Sequence, residues 1–265
     1  MNIKNIAKDI ITLNISSLGK RVAWLRARTS IKVRALRRNY IRRKLVLNEI
    51  PVVINNRNRY TYLRLLVEWF EKAGIKNLYI IDNDSTYPPL LEYYKKIPYK
   101  VFYMGENLGH LALWKSNVYR KFRSNYYIYT DPDILPSEEC KDDFLQYMIS
   151  CLDKYPIAEK VGFALKIDDL PDHYRDKQKV IDWEKKFWEN EVSTDVYDAP
   201  VDTTFALYRP FTDFSKRLIH SYRIAGKYCA RHLPWYEDTD HPTEENIYYK
   251  EHVREGASHW IRKSQ

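Results

Sequence analysis

From residue 50 onward, short runs of β-branched and aromatic residues alternate with amphipathic stretches, and this alternation limits the folds open to the chain. "IPVVINN" reads as a first strand. The helix expected after it, over "YTYLRLLVEWFEKAG", gathers Leu63, Leu66, Val67 and Phe70 on one face and has Gly74 as its stop. "NLYIIDND" is a second strand, ended by the turn-rich "NDSTYPP". After a helix at 89–96, "YKVFYM" makes a third strand, "HLALWKSNVYRKF" a helix and "NYYIYTD" a fourth strand. Strands separated by helices imply β-α-β crossovers, hence an α/β fold with a mainly parallel, Rossmann-like sheet covered by helices on both faces.

In open sheets of this kind ligands bind beyond the carboxyl ends of the strands. Polar residues collect at those ends: Asn55, Asn56, Arg57 and Arg59 after the first strand, Asp82, Asn83 and Asp84 after the second, Glu106 and Asn107 after the third, Asp131 and Asp133 after the fourth. Any one of them alone could be a helix cap. Their convergence marks a site.

The sharpest of these clusters is "YTDPD". Side chains two apart on an extended chain point the same way, and Pro132 holds its neighbours extended. Two carboxylates facing one spot repel unless a proton or cation lies between them. Carboxylate oxygens favour a hard divalent ion, Mg²⁺ or Mn²⁺, which is commonly completed by substrate phosphates. Capping of the next helix, over "SEECKDDFLQYMISCL", is better served by Ser137. The pair therefore suggests a metal-bridged diphosphate.

Before residue 48 the texture differs. Residues 1–47 hold thirteen Lys or Arg and one acid, Asp9. Ile3, Ile6, Ala7, Ile10 and Ile11 have helical spacing, the pattern breaks near Gly19, and a second, strongly basic helical stretch follows. Residues 1–48 are thus expected to form a basic helical extension to a domain at 49–265. The extension fits a solvated or oligomer-forming helix, a helix lying on an anionic membrane, or a phosphate-backbone binder, although no nucleic-acid motif accompanies it. Three cysteines without C-x-x-C spacing indicate neither a disulfide framework nor a zinc knuckle. With no apolar run of membrane-spanning length and no signal-peptide core, a cytoplasmic protein is expected, held at the membrane's inner face by the basic N-terminal helices.

The second half reads less clearly. "KVGFALKI" is a strand, "DDLPDHYRDKQKVIDWEKKFWEN" an inserted loop and helix able to cover the site, and "APVDTTFALYRP" a further strand with Asp202 near its start. "EENIYYKEHVRE" is a helix that Asp240 or Thr243 could cap. Trp183, Trp188, Trp235 and Tyr236 suit either stacking on sugars or packing.

With these motifs in place, the chain resembles the nucleotide-sugar-dependent glycosyltransferases of the GT-A fold, close in pattern to the family 2 enzymes of bacterial surface polysaccharide synthesis. "YIIDNDS" is similar to that family's acidic strand end, "ENLGHLALWKSN" to its N-x-G-x-x-x-A-x-N helix opening, and "YTDPD" to its D-x-D. "NNRNR" is similar to the F-R-N-R of the β-1,4-galactosyltransferases, with asparagine in place of phenylalanine. The match spans about 50–140, and the resemblance implies a nucleotide-binding half at 49–136 and an acceptor-binding half at 137–265. The resemblance implies that Asp82 and Asp84 lie at the base, that Asp131 meets the ribose, and that Asn55, Asn56, Asn107 and Gly109 shape the donor pocket. It implies that Arg57, Arg59 and Lys115 offset phosphate charge and that Asp131, Asp133 and His232 hold Mn²⁺ or Mg²⁺. Glu237, Asp238 or Asp202 would then be the catalytic base, most simply of an inverting transfer. The implied partners are a nucleotide-sugar donor and a glycan or lipid-linked glycan acceptor, with no nucleic acid. A sugar nucleotidyltransferase is the rival enzyme reading, disfavoured because "NNRNR" lacks glycine. A basic nucleic-acid-binding protein is the rival from another class.

Overall fold

The computed structural model describes residues 33–212 and 219–253, and the expected helix within residues 3–11 and the break near Gly19 lie outside them. The chain divides into two compact units, 1–45 and 46–265. In the first, a helix, α1, is described over 33–43.

The second unit is a mixed α/β fold on one sheet, which contains ten strands among the described residues. β1 (Val52–Asn56), β2 (Leu78–Asp82), β3 (Lys100–Tyr103) and β4 (Tyr127–Thr130) form a parallel block in the order β3-β2-β1-β4. Between them run α2 (Tyr60–Lys72), α3 (Pro88–Tyr94), α4 (Ala112–Lys115) and α5 (Tyr119–Phe122). α2 buries Leu63, Leu66, Val67 and Phe70, as its spacing requires, and Gly74 follows it at φ +76°, where a Cβ would be strained. The helix expected over "HLALWKSNVYRKF" is broken: Ser116 is extended and separates α4 from α5. Ser116 Oγ instead bonds the carbonyl of Leu113, the local competition that makes serine a poor helix-interior residue.

Beyond β4 the sheet continues with β9 (Ala206–Tyr208), β6 (Lys160–Leu165), β10 (Ser221–His232), β8 (Val196–Asp198) and β7 (Glu191–Ser193), and β5 (Ile134–Pro136) pairs with β10 off this path. β9 runs antiparallel to both β4 and β6, while β6 and β10 are parallel. Helices lie on both faces. Val53, Ile81, Tyr127 and Tyr129 pack with Leu113 of α4 and Phe122 of α5 on one side. On the other, Phe70 of α2 stacks on Phe205, which also meets Phe144 of α6 (Phe144–Lys154). α7 (Lys177–Glu184) is fixed to β10 by a buried Arg223–Glu184 ion pair at 2.5 Å.

One expectation fails here, and one element is new. α6 begins at Phe144, not after Ser137, because β5 continues the chain straight past the aspartates and Ser137 N bonds the Cys229 carbonyl of β10. β10, at twelve residues the longest strand described, follows none of the expected elements. α8 (Glu244–His252) is capped by Thr243, whose side chain accepts from Asn246 N.

Candidate functional site

The site grows from the pairing of β5 with β10. His232 stands opposite Ile134, Arg231 opposite Leu135 and Ala230 opposite Pro136, and Leu233 N bonds the Asp133 carbonyl at 2.8 Å. This register brings a histidine about 100 residues downstream next to the second aspartate of "DPD". His232 Nε2 lies 3.6 Å from Asp133 Oδ2, longer than a hydrogen bond. Burial holds the His232 pKa below its ordinary value, with the Arg59 charge adding to the effect and Asp133 opposing it. The shift favours the neutral imidazole, the form that ligates metals.

Asp131 is held from another direction. Thr203 Oγ1, in the loop before β9, donates to Asp131 Oδ2 at 2.9 Å, and Thr203 N donates to Asp202 Oδ1 at 2.9 Å. Beneath that loop the buried Lys160 donates to the Asp202 carbonyl at 3.0 Å and to Tyr208 Oη at 3.3 Å. Burial first, and the neighbouring Asp133 charge second, push the Asp131 carboxyl well above the ordinary range. A raised carboxyl beside a second carboxylate is the signature of a site that takes a proton or a cation.

Several donor atoms of this site are unmet. Asp133 Oδ1 and His232 Nδ1 are buried and lack a hydrogen-bond partner, as does Asn55 Oδ1. Oxygen and imidazole donors suit Mn²⁺ or Mg²⁺. Among the described residues no set of three His, Cys, Asp or Glu side chains is arranged to hold a metal. The expected trio of Asp131, Asp133 and His232 is thus not a closed cage, since Thr203 engages Asp131, and an ion on the Asp133–His232 pair would need oxygens from water or a ligand.

The other strand ends form an amide-lined rim. Asn83 Nδ2 donates to Asn107 Oδ1 and to the Gly109 carbonyl, both at 3.1 Å, and Leu108 N donates to Asn83 Oδ1 at 2.7 Å. Asn55 Nδ2 reaches the same Gly109 carbonyl at 3.4 Å. Gly109 has φ +75°, which a side chain would strain. Lys115 Nζ bonds the Leu108 carbonyl and is exposed on this rim. Asp82 is buried and accepts from Tyr94 Oη at 3.1 Å and Ser85 N at 3.2 Å, Asn56 Nδ2 donates to the same tyrosine, and Asp84 sits in the turn at φ +66°.

α8 lies across the loop after β1. Arg57 Nη1 donates to the His252 carbonyl at 2.7 Å, and Arg59 Nη1 donates to Asn246 Oδ1 at 2.6 Å while its guanidinium stacks 3.6 Å from the Tyr249 ring centroid. Glu245 accepts from Thr61 N and Oγ1. Burial raises the Tyr249 phenol above its ordinary range, with the charges of Asp133 and Asp131 adding to the effect and both arginines opposing it. Glu237 accepts from Tyr62 Oη, and burial raises its carboxyl against the pull of Arg59. Asp238, by contrast, is exposed and turned onto its own loop, where it accepts from Asp240 N and His241.

The sequence reading missed Thr203, Lys160, Asn58 and Tyr249. Thr203 directly follows Asp202, so the "VDTT" run was its only signal. Asn58, at φ +53°, accepts from Thr86 N and Tyr87 N and fixes the Asp82 loop, a role asparagine's tolerance of left-handed backbone allows.

No protein-family model matches the chain, and no curated protein matches it. Among solved structures it is similar to a cytidylyltransferase from Leptospira borgpetersenii serovar Hardjo-bovis, at 12% identity and a TM-score of 0.33, over 53% of this chain and 72% of that one. A likeness that slight carries no argument about activity.

Proposed function

We propose that the chain is a metal-dependent glycosyltransferase, moving a sugar from a nucleotide-sugar donor to a glycan or lipid-linked glycan acceptor in surface polysaccharide synthesis. The observation that carries this reading is the Asp133–His232 pair beside Asp131, with unmet buried donor atoms at the rim of a parallel sheet. In this reading Asp133 and His232 hold Mn²⁺ or Mg²⁺, which supplies charge stabilisation of the departing diphosphate. Asp131 receives the ribose hydroxyls, and Asp82, each of whose oxygens retains a free lone pair after its present bond, receives the base. Asn55, Asn107 and Gly109 line the donor pocket through their shared amide network. Glu237 is the assigned base for the acceptor hydroxyl: a half-buried carboxyl that desolvation raises above its ordinary value suits proton abstraction.

The test is a thermal-shift screen of nucleotide sugars with and without Mn²⁺, followed by product analysis. A ligand that binds only the native state raises the melting temperature. The expected result is a metal-dependent shift with one nucleotide sugar that Asp133→Ala abolishes. A shift and pyrophosphate release with a nucleoside triphosphate plus a sugar phosphate would instead establish the nucleotidyltransferase reading.

A further inference from the structure

We propose that α1 is a membrane-surface anchor whose exposed face lies on an anionic lipid bilayer. At 3.6 residues per turn, Val33, Leu36 and Tyr40 fall within about 60° of one another. They are 41%, 70% and 60% exposed, which is unusual for three large apolar side chains on one stripe. Arg43 borders that stripe on one side, and Lys44 and Arg37 on the other, within an arc of about 120°. All three cations are exposed. The opposite side, with Arg34, Arg38, Ile41 and Arg42, is half-buried.

Charge complementarity selects the occupant. Residues 33–48 carry six Lys or Arg and no acid. A protein partner for a face so charged would need a matching acidic groove with an apolar floor. A second copy of this helix would place cation against cation. A bilayer with acidic headgroups supplies both requirements at once: acyl chains for Leu36, Val33 and the Tyr40 ring, and negative charge for the bordering cations. Lys44 Nζ already bonds Tyr40 Oη and lies 4.5 Å from its ring centroid, so the aromatic and a cation reach one depth together, as interfacial tyrosines and lysines do. Nucleic acid would use the cations and leave the apolar stripe idle.

The test is co-sedimentation of the full chain with phosphatidylcholine vesicles, with and without phosphatidylserine, at two salt concentrations. Two variants accompany it: Leu36→Glu, and a triple variant with Arg37→Gln, Arg43→Gln and Lys44→Gln. All four positions are exposed, so unchanged far-ultraviolet circular dichroism and melting temperature are expected of both. Binding only to the acidic vesicles, weakened by salt, is expected of the wild type. The triple variant should lose on the order of a hundredfold in partitioning, about fivefold per cation. Leu36→Glu should lose at least about tenfold on acidic vesicles, since it removes apolar burial and adds an anion. Equal binding to neutral vesicles, no binding to either, or Leu36→Glu binding like wild type would each overturn the proposal. So would dimerisation lost in Leu36→Glu without vesicle binding, or duplex DNA or RNA binding that the triple variant loses and Leu36→Glu keeps.

Discussion

Asp133 and His232 face each other across the β5–β10 ladder at 3.6 Å, too far to bond directly, while Asp133 Oδ1 and His232 Nδ1 are buried without partners. An arrangement that leaves polar atoms unmet costs stability unless something completes it.

Mn²⁺ at a hundred times its dissociation constant should stabilise the protein by about 2.7 kcal/mol, roughly 5–10 °C for a domain this size. Asp133→Ala and His232→Ala should each remove most of that gain, and scanning calorimetry with and without Mn²⁺ checks it. An undiminished Mn²⁺ response in both variants would refute the pair as a metal site.

Lys160 gives a pH signature. Burial depresses its pKa to about 8 from 10.5, with Asp202 opposing the shift. Below pH 8 both folded and unfolded forms carry the charge, and the cost of burying it is fully present. Between about 8 and 10.5 the unfolded chain binds more protons, so stability rises with pH across that window, by up to about 3 kcal/mol. Lys160→Met should lack this rise. Urea unfolding of both proteins from pH 7 to 10.5, compared as a difference so that tyrosines cancel, measures it.

Gly162 lies under the loop that carries Asp202 and Thr203. A Cβ there would stand 2.4 Å from Val201 Cγ1 and 2.9 Å from the Phe205 carbonyl oxygen. Gly162→Ala should cost about 1–3 kcal/mol by overpacking and shift the loop that bonds Asp131. The expected result is a lower melting temperature together with a weaker nucleotide-sugar response. A variant with full ligand response would disconnect the loop from the site.

The Arg223–Glu184 pair is buried on both sides, and Arg223 Nε also bonds the Pro200 carbonyl. Removing one partner leaves an uncompensated buried charge, so Glu184→Gln should cost about 3–5 kcal/mol in denaturant unfolding. The double change Arg223→Met with Glu184→Leu should cost far less. Equal losses would mean that packing, not charge, ties α7 to the sheet.

Sequence alone determined the parallel block. The apolar face of α2, the runs "PVVINN", "LYIID" and "YIYT", and the acids at their ends are local patterns, and local hydrophobic period is what a helix or strand between short turns obeys. The carboxyl-end location of Asn55, Asp82 and Asp131 followed from that topology without any long-range contact. What only the tertiary structure decided is who meets whom across the chain. Ile134–Pro136 is too short to announce a strand, yet its pairing with β10 brings His232 to Asp133, and α8 brings Asn246 and Tyr249 to Arg59. The late start of α6 could not be read locally, because Ser137 is held by the Cys229 carbonyl of β10, a partner distant in sequence. Register between distant strands is fixed by packing against the whole sheet, and a linear pattern carries no record of it.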